Sequence, residues 1–239
     1  MNAEPRLEKC LTFINCQLRP GDTKVKLAAR ATQWRTVTIS RQTGSGAHAV
    51  AERLAELLQA QGKKDSRPWT VFDRNLVEKV LEDHHLPARM AKFMPEDRVS
   101  QMDDVLEDLC GLHPPSSTLV DKTAETIRRL AEMGNVILIG RGANLITSTL
   151  DYVFHVRLVG SLEKRIEYLQ EIRQVGKKAA LEFIRVEDRG RERYLNKYFG
   201  RDIDDPLLYH LVINTDQIGH NQAARLIAGM VLQGGPGSD

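Results

Sequence analysis

A glycine-rich turn near residue 44 has the residue types that could hold a phosphate group. The segment "TISRQTGSGAHAVAERLAELL" (38–58) predicts a β-strand, a turn and the start of a helix. Gly44 and Gly46 lack a β-carbon, so the backbone there could come close to an anion. The amides and the positive dipole end of the following helix would then point at that anion. The alternative is a tight strand-to-helix turn that binds no ligand.

The turn departs from the usual phosphate-loop pattern G-x-x-x-x-G-K-S/T. Ala47 stands at the lysine position, and His48 replaces the hydroxyl residue that would hold magnesium. Arg41, at the first position of the loop, could bring a guanidinium to the phosphates instead. The candidate phosphate-binding residues are Thr43, Gly44, Ser45, Gly46, Ala47 and His48.

A run of arginines late in the chain, "FIRVEDRGRERYLNKYFG" (183–200), is a second candidate for anion binding. Each guanidinium can grip two oxygens, which suits a polyphosphate. Acidic residues are interleaved with the arginines, so a solvated helix with internal ion pairs is the alternative. A further candidate is Arg141, which lies between two glycines at the end of a predicted strand. An arginine at such a position is not needed for packing, which favours a role in binding an anion. The arginines of the run are Arg185, Arg189, Arg191 and Arg193.

Short apolar strands alternate with helices from Thr36 onward. The predicted strands are residues 36–40, 69–72, 136–140, 152–159 and 211–215. This alternation predicts a parallel sheet with helices on both faces. Ligands of such sheets bind at the carboxyl ends of the strands. The glycine-rich turn and Arg141 both follow strand ends, so we expect them at the same edge.

Composition favours one large α/β domain with no strong signal for a macromolecular partner. The chain has 239 residues, 41% of them hydrophobic, and a formal charge of +2. That charge, with 5% aromatic residues, does not favour a nucleic-acid binder. Three irregularly spaced cysteines predict neither a disulfide framework nor a metal cluster. The N-terminus lacks an apolar run of ~20 residues, so we expect a cytoplasmic protein without a membrane partner.

Six segments follow one another along the chain: "VTISRQTGSGAHAVAERLAELL", "VFDRNLVEKV", "VILIGRGANLI", "VFHVRLVGSLEKRIE", "VEDRGRERYLNKYFGRD" and "DPLLYHLVINT". Together they resemble the cytidylate kinase-like family, a branch of the nucleoside monophosphate kinases. The D-x-x-R-x-x-Y pattern of Asp188, Arg191 and Tyr194 is the most specific part. The resemblance implies a P-loop NTPase fold with three αβα layers. Its parallel sheet would have five strands in the order 2-3-1-4-5, with a helical monophosphate-binding insertion and a lid.

The resemblance also implies a reaction, in which the terminal phosphoryl group of ATP moves to CMP or dCMP. ATP and Mg²⁺ are the implied cofactors, with Mg²⁺ carried mainly by the nucleotide and no metal-ligating residue in the chain. The implied catalytic residues are Arg41, Arg189 and Arg191. The implied acceptor-binding residues are Asp73, Lys79, Arg141, Arg185 and Asp188.

Several positions depart from the family pattern. Ala47 removes the loop lysine, while Ile139 and Gly142 replace two acids around the strand-end arginine. Ile203 and His210 replace a tryptophan and an aspartate. Two hypotheses therefore stay open: an active kinase in which arginines substitute for the lysine, and a module that binds a nucleotide or phosphate without turnover.

The expected organisation is an N-terminal extension (1–34), a P-loop domain (35–233) and a flexible tail (234–239). Within the domain we expect a helical insertion at 84–117 and a lid at 176–200. The insertion is acidic between residues 95 and 108, which could shape acceptor choice or form a homodimer contact. The expected partners are small-molecule nucleotides.

Overall fold

The computed structural model of the chain describes residues 33–61, 68–73 and 116–235. Lys79, most of the predicted insertion and nearly all of the N-terminal extension lie outside these ranges, as do residues 236–239. In chain order the elements are β1 (Thr36–Arg41), α1 (Ala47–Gln61), β2 (Thr70–Phe72), α2 (Ser116–Met133), β3 (Val136–Ile139), α3 (Ala143–Ile146), β4 (Val153–Val159), α4 (Leu162–Arg173), α5 (Lys177–Phe199), a 3-10 turn (Pro206–Leu208), β5 (Leu211–Asn214) and α6 (His220–Gln233).

The five strands form one parallel sheet with β1 at its centre. The strand order is β2-β3-β1-β4-β5, which confirms the predicted order 2-3-1-4-5. Along β1, Thr36 lies opposite Val153 and Arg41 lies opposite Leu158. The carboxyl ends of β1, β3 and β4 therefore meet at one edge, from which the glycine-rich turn and Arg141 emerge.

Each face of the sheet packs against helices, which confirms the three-layer arrangement. Side chains alternate between the faces along a strand, so Val37 and Ile39 pack toward α1 and α6. Val136 and Leu138 pack on the opposite face toward α2. Apolar side chains in α1 recur every four residues and are fully buried, as Leu54 shows. Such a side chain contributes about 1.5–3 kcal/mol through burial.

Helices α4 and α5 form a separate pair beyond β4. Ile166 and Leu169 of α4 pack against Ala180 and Ile184 of α5. Ser161 is the N-cap of α4, and its side chain accepts a hydrogen bond from the Lys164 amide at 3.4 Å. Beyond this contact α5 is largely charged, apart from the buried Leu195 and a few other residues. Its range falls within the segment predicted to be a lid (176–200), and we call α5 the lid helix.

The strand boundaries differ from the predictions by one residue at most. Helix α2 begins at Ser116, within the segment expected to be an insertion. Ser116 follows Pro114-Pro115, and proline is compatible with the approach to a helix but not with its interior. Within the described ranges, no helix is both long enough and apolar enough to cross a bilayer.

Candidate functional site

The turn after β1 requires both of its glycines. The φ angles of Gly44 and Gly46 are 86° and 78°, in the left-handed region that glycine favours. A β-carbon on Gly44 would lie 2.6 Å from the backbone oxygen of Arg165, and one on Gly46 would lie 2.1 Å from Nε2 of His220. Helix α1 begins at Ala47. The six predicted phosphate-binding residues thus form one tightly packed strand-to-helix turn.

Asp188 of the lid helix α5 contacts this turn directly. The backbone amide and the hydroxyl of Thr43 each donate a hydrogen bond to Asp188 Oδ1 at 2.8 Å. Arg191 Nη2 donates to the same carboxylate oxygen at 2.6 Å and also to the Thr43 hydroxyl. The family resemblance implied acceptor binding for Asp188, and in the structure its carboxylate contacts the loop.

Arg165 of α4 joins the loop, the end of β4 and the lid helix, and no sequence pattern marked it as a site residue. Its Nη1 donates to the Thr43 carbonyl at 3.2 Å and to Asp188 Oδ2 at 2.7 Å. Its Nε donates to the Gly160 carbonyl, at the end of β4, at 3.0 Å. Arg165 is buried. Its guanidinium therefore fixes one side of the loop to the sheet.

The turn after β3 has three consecutive residues with left-handed backbones. Gly140, Arg141 and Gly142 have φ angles of 81°, 56° and 65°. A residue with a β-carbon costs roughly 1–2 kcal/mol in this conformation, and such costs often occur at functional sites. Gly140 also makes room for Arg41, because a β-carbon there would lie 1.8 Å from Arg41 Nη1.

Two adjoining cavities lie at this edge of the sheet. The larger, of about 300 Å³, lies between the ends of β1 and β3 and the lid helix α5. Arg141, Asn144, Arg193 and Tyr194 line it. The smaller, of about 180 Å³, lies beside the glycine-rich turn. Three residues line both cavities: Arg41, Glu187 and Arg191.

The charges at the junction of the cavities are closely spaced. Burial and, secondly, the positive charge of Arg191 lower the pKa of Arg41 to about 10, while Glu187 and two aspartates act in the opposite direction. Arg41 is thus still charged at neutral pH. Two adjacent guanidiniums in a partly buried site favour an anion between them.

Asp188 carries its negative charge within this cluster. Burial acts to raise the pKa of its carboxyl, but hydrogen bonds from Thr43, Arg191 and Arg165 together hold it below the ordinary value. The carboxylate is therefore ionised throughout the neutral range.

His48 and Asp73 form a pair at the start of α1. His48 Nε2 lies 3.0 Å from Asp73 Oδ2. His48 lines the smaller cavity, while Asp73, predicted to bind the acceptor, lines neither cavity. The residue at the usual magnesium-hydroxyl position thus has a protein partner.

The remaining predicted residues fall into two groups. Arg41, Arg141 and Arg191 come together at the cavities, whereas Arg185 and Arg189 are exposed on α5 and line neither cavity. Glu187, Arg191 and Tyr194 recur at helical spacing, a signal that could have identified the cavity-facing side of α5. No comparable sequence pattern identified Asn144, which also lines the larger cavity.

No group of three or more His, Cys, Asp or Glu residues is placed to hold a metal ion in the described part of the chain. The prediction that the nucleotide carries Mg²⁺ is compatible with this donor set.

The sheet order, the glycine-rich turn after β1 and the arginine-bearing helix over it define a P-loop kinase-like protein. The chain belongs to the cytidylate kinase-like family, whose sequence model matches residues 36–217. No curated protein matches the chain.

Two solved structures illustrate the likeness in fold. An uncharacterized protein from Eubacterium ventriosum ATCC 27560 superposes with a TM-score of 0.60 at 20% identity, covering 82% of this chain and 98% of that one. A shikimate kinase from Bacteroides thetaiotaomicron has a TM-score of 0.44 at 12% identity, covering 83% and 98%. The first structure supports the assignment of the fold, whereas the TM-score of the second is too low to add support.

Proposed function

We propose that this protein transfers the terminal phosphoryl group of ATP to CMP, dCMP or a related small phosphorylated acceptor. The observation that carries the proposal is the pair of adjoining cavities that share Arg41, Glu187 and Arg191. A phosphoryl donor and an acceptor bound in these cavities would meet beside the guanidinium groups of Arg41 and Arg191. Membership of the cytidylate kinase-like family supports the same reaction class.

In this proposal the smaller cavity holds the donor phosphates against the glycine-rich turn, and the larger holds the acceptor. Arg141, at the strained turn after β3, lines the larger cavity and would bind the acceptor phosphate. Arg41 and Arg191 would stabilise the charge on the phosphoryl group in transit. Phosphoryl transfer depends mainly on such positioning and charge compensation. Mg²⁺, bound with the nucleotide, would neutralise part of the phosphate charge.

The second candidate function is binding of a nucleotide or phosphate without turnover. Two observations favour it. Ala47 leaves the loop without a lysine, and His48, at the magnesium-hydroxyl position, is engaged with Asp73. The two functions differ in whether Arg41 and Arg191 compensate for these losses.

Direct detection of product separates the two. The protein would be incubated with ATP, Mg²⁺ and a panel of nucleoside monophosphates that includes CMP and dCMP, and diphosphates would be followed by phosphorus NMR. We expect CDP or dCDP. Arg191→Gln should slow its formation by about 100-fold, the usual cost of removing one donor to a developing charge. The control Arg225→Gln removes an exposed arginine of α6 that lines neither cavity.

Absence of diphosphate from every acceptor would reject the kinase. If ATP or CMP then still raised the melting temperature, the binding module would be the better description, since a ligand that binds only the folded state stabilises it. If neither nucleotide changed the melting temperature, both functions would be rejected.

A further inference from the structure

The carboxylate of Asp188 occupies a position built for an anion. It accepts from the Thr43 amide and hydroxyl at 2.8 Å, from Arg191 at 2.6 Å and from Arg165 at 2.7 Å. An amide of a glycine-rich turn, a hydroxyl and two guanidiniums are the donors that would surround a bound phosphate group. The chain itself supplies the anion that they hold.

We propose that Asp188 is an internal substitute for the donor phosphate, and that a polyphosphate must displace it from Thr43 and Arg191 to bind. This inference rests on the proposed anion-binding role of the loop, and not on turnover. In the nucleotide-free protein the contact closes the lid helix α5 onto the loop and opposes donor binding.

Arg165 and Arg191 have different contacts, and these give them different roles when a phosphate replaces the Asp188 carboxylate. Arg165 also donates to the Gly160 carbonyl and to the Thr43 carbonyl, so it stays in place when the carboxylate leaves. Among the described residues, Arg191 donates to Asp188 and Glu187 of its own helix and to the Thr43 hydroxyl. It also pairs with Glu187 at 3.3 Å, and its side chain lines both cavities. Arg191 can therefore exchange a carboxylate for a phosphate without leaving the junction.

The lid is attached in a way that permits the exchange. Between α4 and α5 the apolar contact is small, with Ile166 and Leu169 facing Ala180 and Ile184. Asp188 lies four residues beyond Ile184, between this contact and the buried Leu195 of α5. Its own contacts with the loop are the hydrogen bonds from Thr43, so another anion can compete for these donors.

The test compares two variants that each remove one negative charge from α5. Asp188→Asn removes the charge that occupies the loop, whereas Glu192→Gln removes an exposed charge of the same helix that lines neither cavity. Affinities for pyrophosphate and for ATP would be measured by titration calorimetry. We expect Asp188→Asn to bind pyrophosphate at least about tenfold more tightly than the unaltered protein, since a competing anion is gone. Glu192→Gln should change the affinity by less than about threefold.

Equal affinities of the unaltered protein and Asp188→Asn, or equal gains in the two variants, would overturn the inference. So would failure of both variants to bind pyrophosphate. None of these results depends on diphosphate formation, so the proposed kinase reaction can stand while this inference fails.

If Asp188→Asn does not fold, a crystal structure of the unaltered protein with pyrophosphate tests whether the phosphate displaces Asp188 from Thr43. The expected structure has a phosphate oxygen within about 3 Å of the Thr43 amide, a hydrogen-bonding distance, and Asp188 displaced from it. A structure with pyrophosphate bound elsewhere and Asp188 still on Thr43 would refute the exchange.

Discussion

Acidification should destabilise the protein through a buried histidine of the central sheet. His155 lies in β4 and is only 7% exposed. Its Nδ1 is 2.8 Å from the Thr38 hydroxyl, and its ring stacks on His210 with the centroids 5.1 Å apart. Burial, and secondly the charge of His210, lower the pKa of His155 to about 4.

The direction of the effect follows from proton uptake. In the unfolded chain the imidazole takes up a proton near pH 6.5, whereas in the folded protein it stays neutral until about pH 4. Between these values the unfolded state binds more protons, so the free energy of unfolding falls as the pH falls. At about 1.4 kcal/mol for each pKa unit, His155 accounts for a loss of about 3 kcal/mol between pH 7 and pH 4.

Urea unfolding at pH 7 and pH 5 would measure this loss, which is about 2 kcal/mol over that narrower interval. His155→Asn is the matched variant, because its amide can keep a hydrogen bond to the Thr38 hydroxyl without titrating. Burial also lowers the pKa values of His210 and His220, so the unaltered protein should lose more than His155 alone explains. The difference between the two proteins isolates His155. Equal pH dependence in both would refute the reasoning.

Three further substitutions test two residues of the turn after β3, Gly140 and Arg141, and one glycine of α6, Gly229. Gly140→Ala should lower the free energy of unfolding by about 1–2 kcal/mol and weaken ATP binding, because the new β-carbon would meet Arg41; unchanged calorimetric affinity would contradict this. Gly229→Ala, in the interior of α6 with open space around it, should instead stabilise by about 0.5–1 kcal/mol in the same urea series. Arg141→Ala should weaken CMP binding at least tenfold, or ~1.4 kcal/mol, in calorimetry, and an unchanged dissociation constant would exclude its anion role.

The fold was predictable because its signals are local. Each strand is a short apolar run followed by an amphipathic helix, and this alternation alone predicts a parallel sheet. The strand order came from the family resemblance, since nothing in the periodicity distinguishes 2-3-1-4-5 from other orders. The first turn of α2, "SSTLV", lacks a strong apolar period, so no local pattern marks the start of this helix within the expected insertion.

The site was predictable where one segment carries the chemistry. The glycine-rich turn and the glycine-flanked Arg141 are visible in short stretches. The contact between Thr43 and Asp188 joins residues 145 positions apart, and the packing of α4 against α5 sets it. Arg165 acts through three partners on three different elements, and no local pattern reveals such a role.

The missing lysine and the lid contact have a common physical explanation. A lysine in the loop would be a cation fixed to α1, present whether or not the lid is closed. In the proposed site Arg191 would supply that charge from α5 instead, so the charge at the junction would depend on where α5 lies. A guanidinium held there without an anion would be costly, and Asp188 and Glu187, three and four residues earlier on the same helix, neutralise it. If a donor phosphate displaces Asp188, as we propose, donor affinity depends on the position of α5.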